Sequence, residues 1–136
     1  MTEEVVLNSQ IGFQDFVNAS AADVIDSYSF RGGDWKSLTR QTNFDENIRK
    51  FIVPVDVSYA KFLVLTRVAA GSVVKPHKHK EPMLRYVLEG TFELNGRFYR
   101  AGDWVYVPPG VTYEIKTDEG YTTLGGYGMA CQDEEE

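Results

Sequence analysis

From Phe62 to Leu124 the chain repeats one pattern, a short run of β-branched and aromatic residues followed by a turn signal. The runs are Phe62 to Val68, Leu84 to Leu88, Thr91 to Leu94, Phe98-Tyr99, Trp104 to Val107, Thr112 to Ile115 and Tyr121 to Leu124. Gly90, Asn95-Gly96, Ala101-Gly102, Pro108-Pro109-Gly110 and Glu119-Gly120 punctuate them. Such runs favour pleated, half-buried backbone, and many of them at short spacing predict an all-β sandwich, barrel or double-sheet jelly roll. Asn95-Gly96 fixes one pairing, because both central positions of a type I′ turn need positive φ. Thr91–Leu94 and Arg97–Arg100 are therefore expected to form a hairpin. An earlier strand is expected at Phe51-Ile52-Val53.

Upstream the periodicity differs. Phe13, Phe16, Val17, Ala21, Val24 and Ile25 recur at three- and four-residue steps, which is helical spacing, with Ser20 as a possible cap for a helix starting at Ala21. Two short turns would satisfy the same pattern, and Gly32-Gly33 ends the segment either way. Residues 1–33 are expected to pack as an arm over a barrel of residues 34–130, followed by an acidic tail over 132–136. With 136 residues and no linker, repeat or low-complexity stretch, the whole is one domain.

A formal charge of −6 argues against nucleic acid, which needs a basic footprint. Cys131 is the only cysteine, so a disulfide or Cys-based metal cluster within one chain is excluded. Glu3 and Glu4 stand where a signal peptide would carry positive charge, and no apolar run reaches membrane-spanning length. The chain reads as soluble and cytoplasmic, with no membrane partner.

The chemistry concentrates in the segment from Gly71 to Gly90. Residues two apart on a strand share a face, so His77 and His79 point together into the barrel while Lys78 and Lys80 point to water. They are the only two histidines in the chain. Neutral imidazole is a common ligand of divalent transition metals, and two on one strand supply half a site. If the alternation continues, Met83, Arg85 and Val87 also face inward. A guanidinium there needs a partner, and an internal ion pair is expected, although a substrate carboxylate would serve equally.

With these residues in place, the segment from Gly71 to Thr117 resembles the cupin superfamily, whose first motif reads G-x5-H-x-H-x3/4-E-x6-G and whose second reads G-x5-P-x-G-x2-H-x3-N. Gly71, His77, His79 and Gly90 fall in register with the first, and Gly102, Pro108 and Gly110 with the second. The resemblance implies a double-stranded β-helix, or jelly-roll barrel, with a pocket at one mouth. It also exposes departures: Met83 stands at the glutamate ligand position, Tyr113 at the third histidine and Thr117 at the asparagine. Tyr113 from its motif position and Glu81 from its closeness to His79 are the candidates for a third ligand of a divalent ion (Fe, Zn, Mn or Ni). Met83, Arg85 and Tyr106 are candidates to line a substrate pocket.

Three readings follow from the resemblance. One is a mononuclear metalloenzyme, dioxygenase-like, acting on a small oxygenated substrate; the Ala101 to Trp104 and Pro-Pro-Gly stretch is similar to acetylacetone-cleaving dioxygenases, and the chain is also similar to the zinc-binding cupin module of certain anti-sigma factors. The second is a cupin that has lost its metal and binds a small organic ligand through Arg85, Tyr113 and the histidines. The third is a homodimeric scaffold with a vestigial pocket; a homodimer is compatible with all three.

Overall fold

The computed structural model describes residues 6–8, 11–40 and 47–128, and within them the chain is antiparallel β-structure with 3₁₀ turns and no α-helix. The strands, in order, are β1 (Val6–Leu7), β2 (Ile25–Asp26), β3 (Thr39–Arg40), β4 (Phe62–Val68), β5 (Val73–His77), β6 (Met83–Leu94), β7 (Arg97–Arg100), β8 (Trp104–Val107), β9 (Tyr113–Lys116) and β10 (Tyr121–Tyr127). Cys131, the acidic tail and Met1 to Val5 lie outside the described residues. No helix of the described residues is long and apolar enough to cross a membrane.

One layer has the order β2-β8-β6-β10-β4, and a second joins β7, β6, β9 and β5. These two layers make the jelly roll expected from the turn spacing. β6 belongs to both, which corrects the reading of Leu84–Leu88 and Thr91–Leu94 as separate strands. Its first half pairs with β8 and β10, its second with β7 and β9. Gly90 turns the strand from one layer to the other rather than ending it. Its φ is +79°, and a Cβ there would collide with the Gly120 carbonyl and lie 2.6 Å from Tyr121 Cα. The expected hairpin forms in the expected register, Thr91 opposite Arg100 and Leu94 opposite Arg97, with Asn95 and Gly96 both at positive φ.

Strand alternation divides the core in two. Val105 and Val107 of β8 face the barrel interior with Val87, Phe92, Leu94, Tyr113, Ile115 and Tyr121. Trp104 and Tyr106 face the other way, into a cluster with Val17, Trp35 and Val55. Each fully buried side chain of this size contributes roughly 1.5–3 kcal/mol. Residues before 33 contribute Val17 to this core, and β2 pairs with β8.

The helical spacing upstream does not produce a helix. Phe13–Asp15 is one 3₁₀ turn. Asn18 then captures the amide and hydroxyl of Ser20 with its side chain, at 2.9 and 2.6 Å, so Ser20 caps nothing. Local side-chain bonds of this kind compete with helix formation. Val17, Ala21 and Ile25 pack against Trp104 and Tyr106 of β8 instead, and the buried carboxylate of Asp26 ties the arm down by accepting from the amides of Tyr28 and Ser29, the Tyr99 hydroxyl and Nη1 of Arg97. Phe51-Ile52-Val53 is not a strand either. The Ile52 amide goes to Thr39 Oγ1, and Val55 makes a single parallel bridge to Val17.

Candidate functional site

β5 and β9 bring the first pair of site residues together, because His77 stands directly opposite Tyr113. Their ring centroids are 4.5 Å apart. His79, two residues on, turns to the same side, 4.9 Å from His77 and edge-on to it, while Lys78 and Lys80 are exposed. The Pro108-Pro109-Gly110 turn fixes the chain here: the Gly110 amide donates to the His79 carbonyl at 2.9 Å. From the neighbouring strand Arg85 reaches in, its Nη2 donating to the Tyr113 hydroxyl at 3.0 Å. The polar groups therefore run inward from two half-buried imidazoles to the phenol of Tyr113, which is 1% exposed.

The hydrogen bonds have a direction. A guanidinium only donates, so the Tyr113 oxygen accepts from Arg85 and has its own hydrogen left to give. The Nε2 of His79, 3.1 Å away, is the acceptor available to it. With Tyr113 donating, Arg85, Tyr113 and His79 form one donor chain in which His79 carries its proton on Nδ1. His77 has the same tautomer for a different reason, since its Nδ1 lies 2.8 Å from the Lys75 carbonyl, which can only accept. Its Nε2 is left as a bare acceptor.

Arg85 does not find the internal acid that the sequence suggested. Its direct cross-strand neighbours are Val105 on β8 and Gly125 on β10, neither of which offers a side-chain acceptor. Nη1 is buried with no hydrogen-bond partner among the described residues. Burial works against its charge, but the hydroxyls of Tyr113, Tyr127 and Tyr121 offset that and hold its pKa above the ordinary arginine value. Tyr121 and Tyr127 were not singled out from the sequence. The signal available was the aromatic spacing along β10, readable only once β10 is known to pair with β6.

The other expected site residues divide. Met83 opens β6 on the inward face with Arg85 and is 5% exposed. Glu81 turns its carboxylate toward Gly128 and the neighbourhood of Tyr59. Tyr106 belongs elsewhere: alternation along β8 puts it in the cluster under the arm, on the opposite face from Tyr113 and Arg85, so it does not line this pocket. Thr117, at the asparagine position of the motif, is structural. It donates to the Thr91 carbonyl at 2.7 Å and accepts from the Gly120 amide at 2.8 Å.

A divalent ion fits these residues poorly. Among the described residues no group of three His, Cys, Asp or Glu is gathered that would hold one. The Nε2 of His79 is already engaged by Tyr113, and the position of the lost carboxylate carries a thioether. A fixed guanidinium adjoins the set. At ~5 Å and an effective dielectric of ~20, a divalent ion and a guanidinium repel by several kcal/mol.

The sequence model of the ChrR cupin-like domain matches residues 17–128 of this chain. No curated protein matches. Among solved structures the chain is similar to an RmlC-like cupin from Shewanella frigidimarina, at 28% identity over 46% of this chain and 62% of that one, with a TM-score of 0.42. It is also similar to a chain of the Rhodobacter sphaeroides complex of SigE with the anti-sigma ChrR, at 21% identity, 48% and 37% coverage and a TM-score of 0.45. A third is KdgF from Halomonas sp., at 26% identity, 47% and 67% coverage and a TM-score of 0.41. The match spans less than two thirds of the length of the first two.

Proposed function

The chain belongs to the ChrR cupin-like family, and from that premise we propose that it is a metal-free cupin binding a small organic molecule, with Arg85, Tyr113 and His79 as the polar centre of the pocket. The observation that carries this reading is the Arg85 fork, one nitrogen on Tyr113 and the other buried without an acceptor. A buried donor left unmade costs about 1–3 kcal/mol, more when charged, and a bound molecule would recover it. Metal content is the test. The untagged protein, purified and reconstituted with Fe, Zn, Mn or Ni, is expected to hold far less than one equivalent. A full equivalent that disappears in His77→Ala/His79→Ala would overturn the reading.

One observation favours a second reading. The Lys75 carbonyl holds the Nδ1 proton of His77, as carbonyls behind metal-binding imidazoles do, leaving Nε2 bare. A metal held there would take His77 and His79, with Tyr113 or Glu81 as third donor, and would supply the Lewis acidity of a dioxygenase-like enzyme. Both parts of that reading fall together if no metal binds.

The remaining elements are a cytoplasmic setting, in keeping with the single cysteine, and a homodimer. β4 supports the homodimer: it ends the larger layer, with Phe62, Leu63 and Leu65 exposed. Such an apolar edge invites pairing, and a second copy of β4 laid antiparallel would cover it.

A further inference from the structure

We infer that the molecule held in this pocket is a small monocarboxylic acid with an apolar body, its carboxylate taken up by Arg85; the inference rests on the small-ligand reading above. Arg85 is an inward-facing cation with no acid hydrogen-bonded to it among the described residues. Its cross-strand neighbours are Val105 and Gly125, and among the described residues its one hydrogen-bond acceptor is the Tyr113 hydroxyl while Nη1 is buried and unpaired. The tyrosines beside it favour the charged form, but no carboxylate is paired with the guanidinium among the described residues. Retaining it makes physical sense if the balancing charge arrives from outside.

The geometry and the charge select the class. A planar guanidinium presents paired donors that match the two oxygens of a carboxylate. Nη2 keeps a second hydrogen beyond the one given to Tyr113, and Nη1 has both. One fixed cation is neutralised by a monoanion. A phosphate dianion would leave net negative charge among apolar walls, with no α-helix N-terminus among the described residues to receive it. Met83 and Val87 follow the same strand face as Arg85, and Tyr121 lies near its guanidinium; all three are buried. They suit a hydrocarbon or aromatic remainder.

The test is calorimetric titration of the untagged full chain with acetate, butyrate and benzoate, each against its amide, and with inorganic phosphate. At least one acid is expected to bind tenfold or more tightly than its amide, the factor a charge-assisted pair contributes over a neutral one. Arg85→Met is expected to abolish that preference while melting at or above the wild-type temperature, and Arg85→Lys, which keeps the charge and loses the fork, to retain part of it. Equal binding of acid and amide, lost in Tyr113→Phe, would overturn the carboxylate while leaving the small-ligand reading. Preference for phosphate, no acid binding at millimolar concentration, or a clear drop in the melting temperature of Arg85→Met would each overturn it. A stoichiometric metal bound by both histidines would remove both readings together.

Discussion

Arg85 on β6 and Tyr113 on β9 meet inside the barrel, Nη2 donating to the phenol oxygen at 3.0 Å, with the guanidinium carbon 5.1 Å from the centre of the tyrosine ring. The phenol accepts one charge-assisted bond, and its oxygen lies 3.1 Å from Nε2 of His79. It therefore occupies the place of a ligand while acting as a relay between a fixed cation and an imidazole.

Removing that relay is expected to be costly. Tyr113→Phe leaves Nη2 of Arg85 buried without its acceptor and His79 without its donor. Urea denaturation is expected to show a loss of about 1–3 kcal/mol with an unchanged slope. A neutral result would mean that the donor chain contributes nothing to the fold.

Tyr106→Phe is expected to behave in the opposite way. The Tyr106 hydroxyl is buried without a partner among the described residues, so deleting it leaves stability unchanged or raises it by up to about 1 kcal/mol. The same residue predicts an alkaline signature. Burial pushes its phenol up to about 12, against an ordinary 10.0, so between those values the unfolded chain has released the proton that the fold retains. Stability from this source is whole below pH 10 and falls as pH rises toward 12. Burial raises Tyr99 and Tyr121 in the same direction. Melting temperature followed across that window is expected to fall, and to fall less in Tyr106→Phe.

How much of this was legible in the sequence depended on whether the signal was local. Asn95-Gly96 announced its hairpin because both turn residues must adopt positive φ, and His77 with His79 announced a shared face because the period of a strand is two. Gly90 misled for the converse reason: positive φ reads as a turn, whereas here it lets one strand cross between two layers against the Gly120 carbonyl. In the stretch from Phe13 to Ile25, whose spacing is helical, turns bring Val17, Ala21 and Ile25 onto β8 while Phe13 stays exposed. Tyr106 was misplaced because all four residues of β8 are buried, leaving no hydrophobic alternation to say which face is the interior. The missing partner of Arg85 was beyond sequence reading, since it depends on which residues of β8 and β10 stand opposite.

Restoring the absent ligands offers a constructive check. Met83→Glu/Tyr113→His supplies the carboxylate and imidazole that the cupin motif places there, and frees His79 from its phenol. The double variant is expected to take up Zn²⁺ in chelator competition where the wild type takes up little. Equal uptake by the two proteins would mean that the thioether of Met83 and the phenol of Tyr113 do not decide metal occupancy.

The β4 edge can be tested separately from the pocket. Sedimentation equilibrium is expected to give twice the 15.4 kDa chain mass for the wild type and the chain mass for Leu65→Lys, which places a charge in the middle of the exposed apolar edge. A Leu65→Lys protein that remains dimeric would move the interface elsewhere.

Because the chain has two histidines, a long-range ¹⁵N–¹H spectrum of the untagged protein at about pH 8, above the ordinary imidazole range, resolves both rings without assignment ambiguity from others. Both are expected to carry the proton on Nδ1 and none on Nε2, His77 through Lys75 and His79 through the bond from Tyr113, and an equivalent of Zn²⁺ is expected to leave His79 unchanged. Simultaneous shifts of both Nε2 resonances on adding the metal would contradict a pocket organised around Arg85.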